Sequence, residues 1–280
     1  MPEGDSIFRA AAMLRGALAD RTLRFAWLRD RGPMSRWIGR KVQAVDSLGK
    51  HLLVTIEPDA VLRVHLGMHG RWRLHPPEQA FPAPGPQLSV VLATENATAV
   101  CRRAMQVELV RAGDPRLRER LAQLGPDLLA ETIDWTAVLT RARSAEPRAI
   151  AETLLDQRVA AGIGNVYKSE VLFLAGVHPF TPTANLDDAT LLRIYERARE
   201  LMRANPGPGP RTTTTLRSPG VRRPVSTSRA WVYRRHGLPC LRCRTPIERA
   251  LQGDMARSTY WCPRCQPDGA AGSKRAVTGM

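Results

Sequence analysis

Ala161-Gly162-Ile163-Gly164-Asn165 stands between two stretches of helical periodicity. Two glycines within three positions allow a tight turn that delivers the chain into a new helix at Asn165. The amides exposed at such a helix start, together with the Asn165 side chain, are able to hold a phosphate. The spacing is too short for a dinucleotide fingerprint, which needs Gly-x-Gly-x-x-Gly after a strand, and here a helix precedes. The turn therefore reads either as helix–turn–helix geometry used on a phosphate backbone or as a purely structural helical hairpin. Helical patterns surround it at 134–144, 147–157, 165–175 and 187–205, with Gly176 as a stop. An earlier helix opens at Asp114-Pro115 and closes by Gly125.

Upstream of residue 112 the period changes. Leu23, Phe25 and Trp27 alternate, as do Leu62, Val64 and Leu66, and further β-rich runs cover 41–45, 51–56, 88–93 and 105–110. These short strands predict a β-sandwich. Cys101 lies in an apolar run and is expected in its core. A helix precedes the strands, with Ile7, Ala11, Leu14 and Leu18 on one face and Asp5 or Ser6 as its cap. A Pro-rich surface loop is expected at 76–86.

Downstream, residues 206–227 form a Pro-, Gly-, Thr- and Arg-rich linker, too polar and broken to pack alone. Beyond it lies Cys240-x2-Cys243-x18-Cys262-x2-Cys265. Two close pairs of cysteines across a short loop suit one tetrahedral zinc ion. Residues 229–235 and 259–261 are expected as strands of this zinc ribbon, and the chain after Gln266 as a disordered tail. The expected organisation is α+β: a β-sandwich domain with a leading helix over 1–112, a helical domain over 113–205, a linker over 206–228, a ribbon over 229–266 and the tail over 267–280.

The net charge is +16, and it is unevenly placed. Residues 1–200 hold 27 basic and 23 acidic side chains, whereas residues 201–280 hold 15 and 3. Only four residues are lysine, so a bias toward arginine accounts for Arg over Lys. It does not account for the loss of acidic residues after 200. A region this basic is an electrostatic footprint for phosphate backbones. No apolar run is long enough to span a membrane, and the expected place is the cytoplasm, in association with the nucleoid.

Several residues carry chemistry only in company. Pro2, once Met1 is removed, is a secondary amine that titrates at about 8 and is partly neutral and nucleophilic. Glu3 beside it can move protons. Read alone, Pro2 is better taken as a small residue in a frayed start. Lys50 after Gly49 is either a solvated turn residue or a proton donor. Met68 between two glycines is either a core methionine or a wedge that fills the stack when a base leaves a duplex. His65 and His69 have the His-x3-His spacing of a metal pair, but in a β pattern without a third ligand, which argues against a metal there. Arg257, just before the third cysteine, is placed for a phosphate or is one of many arginines.

In combination these pieces resemble the formamidopyrimidine-DNA glycosylase/endonuclease VIII family, over nearly the whole length. The resemblance rests on Pro2-Glu3-Gly4, Gly49-Lys50, His65-Leu66-Gly67-Met68-His69-Gly70 and Gly162-x-Gly164-Asn165-x-Tyr167-x-Ser169-Glu170. It extends through Trp231-Val232-Tyr233 and Arg257-Ser258-Thr259 to Cys265-Gln266. It implies a helix-two-turn-helix domain and a bifunctional DNA glycosylase/AP lyase, a monomer acting on damaged double-stranded DNA. Pro2 would attack C1′ of the damaged nucleotide, and Glu3 would donate and accept protons at the sugar. Lys50 would hold a phosphate and assist. Asn165 and Arg257 would grip phosphates flanking the lesion, and Met68 would enter the duplex. Two further wedge residues would come from a loop near 96–103. The Pro2-Glu3-Gly4-Asp5 start is similar to the endonuclease VIII branch, which implies oxidised pyrimidines, although Ser6 stands where that branch often has Glu. Alternatives are a non-catalytic zinc-ribbon DNA-binding protein and an enzyme acting mainly as an AP lyase.

Overall fold

The computed structural model describes residues 2–77, 85–145, 148–205, 207, 209–214 and 228–268, and the chain divides between Gln123 and Leu124 into two units. In the first unit the amphipathic pattern after Pro2 becomes α1 (Gly4–Leu18), with Ile7, Ala11, Leu14 and Leu18 buried. Its N-cap position is Glu3, not Asp5 or Ser6. The Asp5 carboxylate is instead engaged by Arg9 at 3.4 Å and by the Ser6 hydroxyl at 3.3 Å.

Two antiparallel sheets share one core with α1. The first contains β1 (Phe25–Leu28), β2 (Gly32–Pro33), β6 (Arg71–His75), β7 (Leu88–Ala93) and β8 (Thr98–Arg102), in the order β2-β1-β7-β8-β6. The second contains β3 (Val42–Leu48), β4 (His51–Ile56), β5 (Ala60–His65) and β9 (Gln106–Arg111), in the order β3-β4-β5-β9. Leu62, Val64 and Leu66 face the shared core as their alternation predicts. Phe25 and Trp27 do not. Ala26 and Leu28 take the core face, and the two aromatics cover a smaller cluster of Leu88, Val91 and Val100 on the outer side of the sheet. Bulk alone does not decide which face of a strand looks inward when both faces are covered. Cys101 is fully buried, and burial pushes its thiol up to about 12. The first unit ends with α2 (Pro115–Ala122), whose N-cap Asp114 accepts from the amides of Arg116 and Leu117.

The second unit begins with α3 (Trp135–Ser144), capped by Asp134, and α4 (Ile150–Thr153). The helix expected over 147–157 is shorter because its later polar groups are drawn into the turn that follows. The Asp156 carboxylate takes the Arg158 amide at 2.9 Å, and the Gln157 side chain bonds Leu155, Ile163 and Gly162. α5 (Asn165–Ala175) ends at left-handed Gly176, and α6 (Asp188–Arg203) packs on it. The ribbon hairpin is β10 (Glu248–Gln252) paired with β11 (Arg257–Trp261). The strand expected at 229–235 is absent: the amides of Trp231, Val232 and Tyr233 point at the Glu170 carboxylate rather than at a neighbouring strand. Within the linker, Thr213 is buried and bonds Glu170. Most of the remaining linker, residues 78–84 of the Pro-rich loop and the tail from 269 lie outside the described residues. No helix among the described residues is long and apolar enough to cross a membrane.

Candidate active site and metal centre

Pro2 precedes α1, and Glu3 at its N-cap is fully buried. The Glu3 carbonyl accepts from the amides of Ser6 and Ile7 at 2.9 and 3.2 Å, so the backbone on which Pro2 rides is fixed by the first turn. α1 packs on β3 and β4. The turn between those strands is Gly49-Lys50, with Leu48 paired to His51. Gly49 has φ +56° at the first central position of this two-residue turn, the conformation that glycine adopts without cost. Lys50 is thus half-exposed at the end of the sheet that carries α1.

β5 pairs with β4, and its end leads into His65–Gly70. Met68 there is 56% exposed, so it is not a core methionine. Gly67 has φ +64°, and a Cβ on it would lie 2.7 Å from the Met105 Cβ. The absent side chain therefore lets Met105, itself 57% exposed, pack beside the Met68 loop. The loop expected near 96–103 is mostly strand β8, with Thr98 to Cys101 buried. The chain bends after it, where left-handed Arg103 (φ +55°) and Met105 are exposed on either side of buried Ala104. Beneath lies a network that the sequence did not announce. Buried Arg63 donates to Glu108 at 2.7 Å and Gln106 at 2.9 Å, and meets His51 Nδ1 at 3.0 Å. The His51 and His65 rings lie 5.3 Å apart.

In the second unit, the phosphate-type turn is stapled by Gln157, which accepts from the Gly162 amide and donates to the Ile163 carbonyl. Asn165 is buried, and its Nδ2 donates to the Ser258 carbonyl at 2.8 Å. The side chain expected on a phosphate is therefore committed to the strand that begins at Arg257. Arg257 itself is half-exposed and meets the Met255 sulfur at 3.8 Å, with no carboxylate partner among the described residues. Two residues from separate motifs are thus joined across 93 positions. The Glu170 carboxylate accepts from Thr213 Oγ1 and from three consecutive amides at 2.8, 2.9 and 2.8 Å. Burial pushes its carboxyl up against those donors.

The thiols of Cys240, Cys243, Cys262 and Cys265 lie within 4.8 Å of one another. A tetrahedral zinc with bonds of about 2.3 Å places its sulfurs about 3.8 Å apart; here Cys240–Cys265 is 3.9 Å and Cys243–Cys262 is 3.4 Å. Burial and the neighbouring thiols push Cys262 up to about 11 and Cys265 higher still, while Cys243, against its own burial, is brought down to about 6 by hydrogen bonds from Thr245 and the neighbouring thiols. So crowded a set ionises together only around a cation, and the residues fit a metal. Among the described residues this is the one cluster of three or more potential metal ligands, and His65 and His69 belong to none.

Three family models match the chain in order. They are the formamidopyrimidine-DNA glycosylase N-terminal domain over 1–107, its H2TH domain over 124–215, and the zinc finger found in FPG and IleRS over 237–267. The chain is 40% identical over 270 residues to a probable endonuclease 8 2 of Streptomyces coelicolor, covering 95% of this chain and 94% of that one. It is 38% identical to the DNA-(apurinic or apyrimidinic site) lyase Nei2 of Mycolicibacterium smegmatis, over 95% of this chain and 99% of that one. Its structure is similar to the crystal structure of the MutM (Fpg) protein of Thermus thermophilus, with a TM-score of 0.76 and 32% identity, covering 96% and 100% of the two chains. The chain belongs to the formamidopyrimidine-DNA glycosylase family. It is a bifunctional DNA glycosylase/AP lyase of base-excision repair, with a zinc-finger domain and a four-cysteine metal-binding site.

Proposed function

We propose that the enzyme excises oxidised pyrimidines from duplex DNA through the amine of Pro2, freed by removal of Met1, and then cuts the strand by β,δ-elimination. The observation that carries this reading is the placement of Pro2 and buried Glu3 at the N-terminal end of α1, on the sheet whose turn presents Lys50. The positive end of a helix dipole disfavours a protonated amine, so more of the neutral nucleophile is present at pH 7. The nitrogen lone pair bonds C1′ as the bond to the damaged base breaks. Loss of the amine proton and opening of the sugar ring leave an iminium. That electron sink acidifies the C2′ protons. Abstraction there expels the 3′ phosphate, a second elimination expels the 5′ phosphate, and a one-nucleotide gap remains.

Glu3 shuttles these protons at the sugar, and Lys50 holds a phosphate near it. Asn165 and Arg257 fix the phosphates flanking the lesion. The bond from Asn165 to the Ser258 carbonyl, one residue beyond Arg257, supports this, with Asn165 acting through the strand and Arg257 through its guanidinium. Met68 enters the duplex, and adjacent Met105 is the candidate second wedge. One structural zinc ion on Cys240, Cys243, Cys262 and Cys265 holds the ribbon together. The enzyme works as a monomer in the nucleoid. Preference for pyrimidines rests on the Pro2-Glu3-Gly4-Asp5 start and on the higher identity to the endonuclease 8 relative than to the Thermus formamidopyrimidine-DNA glycosylase, 40% against 34%.

The 38% identical relative named as an apurinic/apyrimidinic-site lyase favours a second reading, in which strand cleavage at abasic sites dominates. Borohydride trapping tests both. Protein lacking Met1 should form a covalent adduct with abasic duplex DNA and with DNA carrying an oxidised pyrimidine, and protein retaining Met1 should form neither. An adduct with abasic DNA only selects the second reading; no adduct with either rejects the amine mechanism.

A further inference from the structure

We propose that Lys168 is a positioning residue for the phosphate clamp, holding the strand that starts at Arg257 against the helix that starts at Asn165. Lys168 is the fourth residue of α5 and is 1% exposed. An ammonium there is disfavoured twice, by loss of hydration and by the positive end of the helix dipole. An apolar side chain of similar length would fill the space without either cost. What the charge gains is specific. Nζ donates to Thr259 Oγ1 at 2.8 Å and lies 3.4 Å from the Ser258 carbonyl, both on β11.

The network continues in one direction. The Thr259 hydroxyl, having accepted from Lys168, gives its own proton to Gln252 Oε1 at 2.9 Å on β10. Gln252 Nε2 then donates to the Pro179 carbonyl at 3.3 Å, in the loop after α5. A carbonyl cannot donate, so the order of donors along the chain is fixed. The path leaves α5, crosses both ribbon strands and returns to the segment that follows α5. The Ser258 carbonyl receives Asn165 and Lys168 together. The backbone one residue beyond Arg257 is therefore pinned by two donors from one helix turn. Arg257 has no carboxylate partner among the described residues to order it, so the strand must supply that order. The ammonium also adds positive potential beneath the helix start, where water does not screen it.

This inference rests on the reading of Arg257 as a phosphate ligand and of Asn165 as the residue that sets its strand. It is tested by a double-mutant cycle in the full-length, zinc-loaded protein lacking Met1, with Lys168→Met, Arg257→Ala and the pair. The probe is a duplex with a tetrahydrofuran abasic analogue for affinity, and an abasic duplex for single-turnover cleavage. Lys168→Met should weaken binding about tenfold when Arg257 is present and less than about twofold when it is absent, the non-additivity expected of residues acting through one another. Lys168→Arg, which keeps the charge, should restore part of the loss. Equal fractional losses in both backgrounds would overturn the proposal. If Lys168→Met fails to retain zinc, Thr259→Val breaks the same relay with the lysine in place and goes through the same cycle. Failure of the unsubstituted protein to bind or cut would strike the functional reading instead, so the two failures are distinguishable.

Discussion

The two units differ in how they place the side chains proposed to act. In the first, Pro2 and Glu3 are set by the opening turn of one helix and Lys50 by a two-residue hairpin turn. In the second, Asn165, Lys168 and Glu170 reach partners 93, 91 and 61 residues away. Local placement would separate the proposed chemistry from stability, because such a side chain is removable without breaking contacts distant in sequence. Long-range placement joins them, because the contacts that set the strand of the proposed phosphate ligand Arg257 also hold the ribbon to α5.

The largest effect that this contrast predicts follows removal of the metal. Structural zinc contributes on the order of 10 kcal/mol to small metal domains. Chelation, or Cys262→Ser, should unfold the ribbon, release zinc and abolish DNA binding, with Trp231 fluorescence reporting the loss. The first unit should keep its sheets. Full DNA affinity in metal-free protein would break the link drawn here between ribbon folding and phosphate binding. Next in size is Glu3→Gln. Proton transfer by a positioned carboxylate is worth about a thousandfold, so base excision should fall by that order and abasic-site cleavage by less. The melting temperature should move little beside that of the Glu170 variant below. Equal retention of both activities would remove Glu3 from its assigned role.

The contrast also explains what the sequence made legible. Strands β4 and β7 announce themselves as β-rich runs, and helices α1, α3, α5 and α6 through helical periodicity. So does the metal site, because its four ligands come in two close pairs. Glu170 sits inside a recognised motif, yet nothing local says that its carboxylate takes three amides from 231–233, and the strand expected there was lost to that contact. Buried Arg63 in a β pattern was a readable signal, since a charge amid apolar alternation needs a partner. Its partners His51, Gln106 and Glu108 lie on neighbouring strands and become visible only with the register. Met105 could have been found as an apolar residue at the end of a polar turn. Its approach to Gly67 is again a long-range fact.

Glu170→Ala sharpens the comparison at the third level. It strands the buried amides of Trp231 and Val232 and the part-buried amide of Tyr233, leaving the Thr213 hydroxyl only the Arg229 carbonyl at 3.2 Å, and breaking such a network costs about 3 kcal/mol. Denaturant unfolding should show that loss in the second unit, and DNA affinity should fall with it. Stability lost without any loss of affinity would mean that the ribbon's attachment to α5 is not what aims Arg257.

The smallest effect lies in the first unit and depends on pH. Arg63 can only donate, so His51 Nδ1 must accept from it and the ring must be neutral with its proton on Nε2. Burial, then the charges of Arg63, His65, Arg120 and Lys50, lower His51 from 6.5 to about 4. The unfolded chain therefore takes up this proton before the folded one does. The contribution is complete above about pH 6.5 and is lost as pH falls toward 4, amounting to roughly 2 kcal/mol after allowance for the ring's residual exposure. Nuclear magnetic resonance of the His51 ring should give a midpoint near 4, and His51→Gln should flatten the acid limb of stability for the first unit. A midpoint near 6.5 in the folded protein would mean that Arg63 does not hold the ring. The contact between the strand behind Lys50 and the one leading to Met68 would then be looser than the local placement of Lys50 requires.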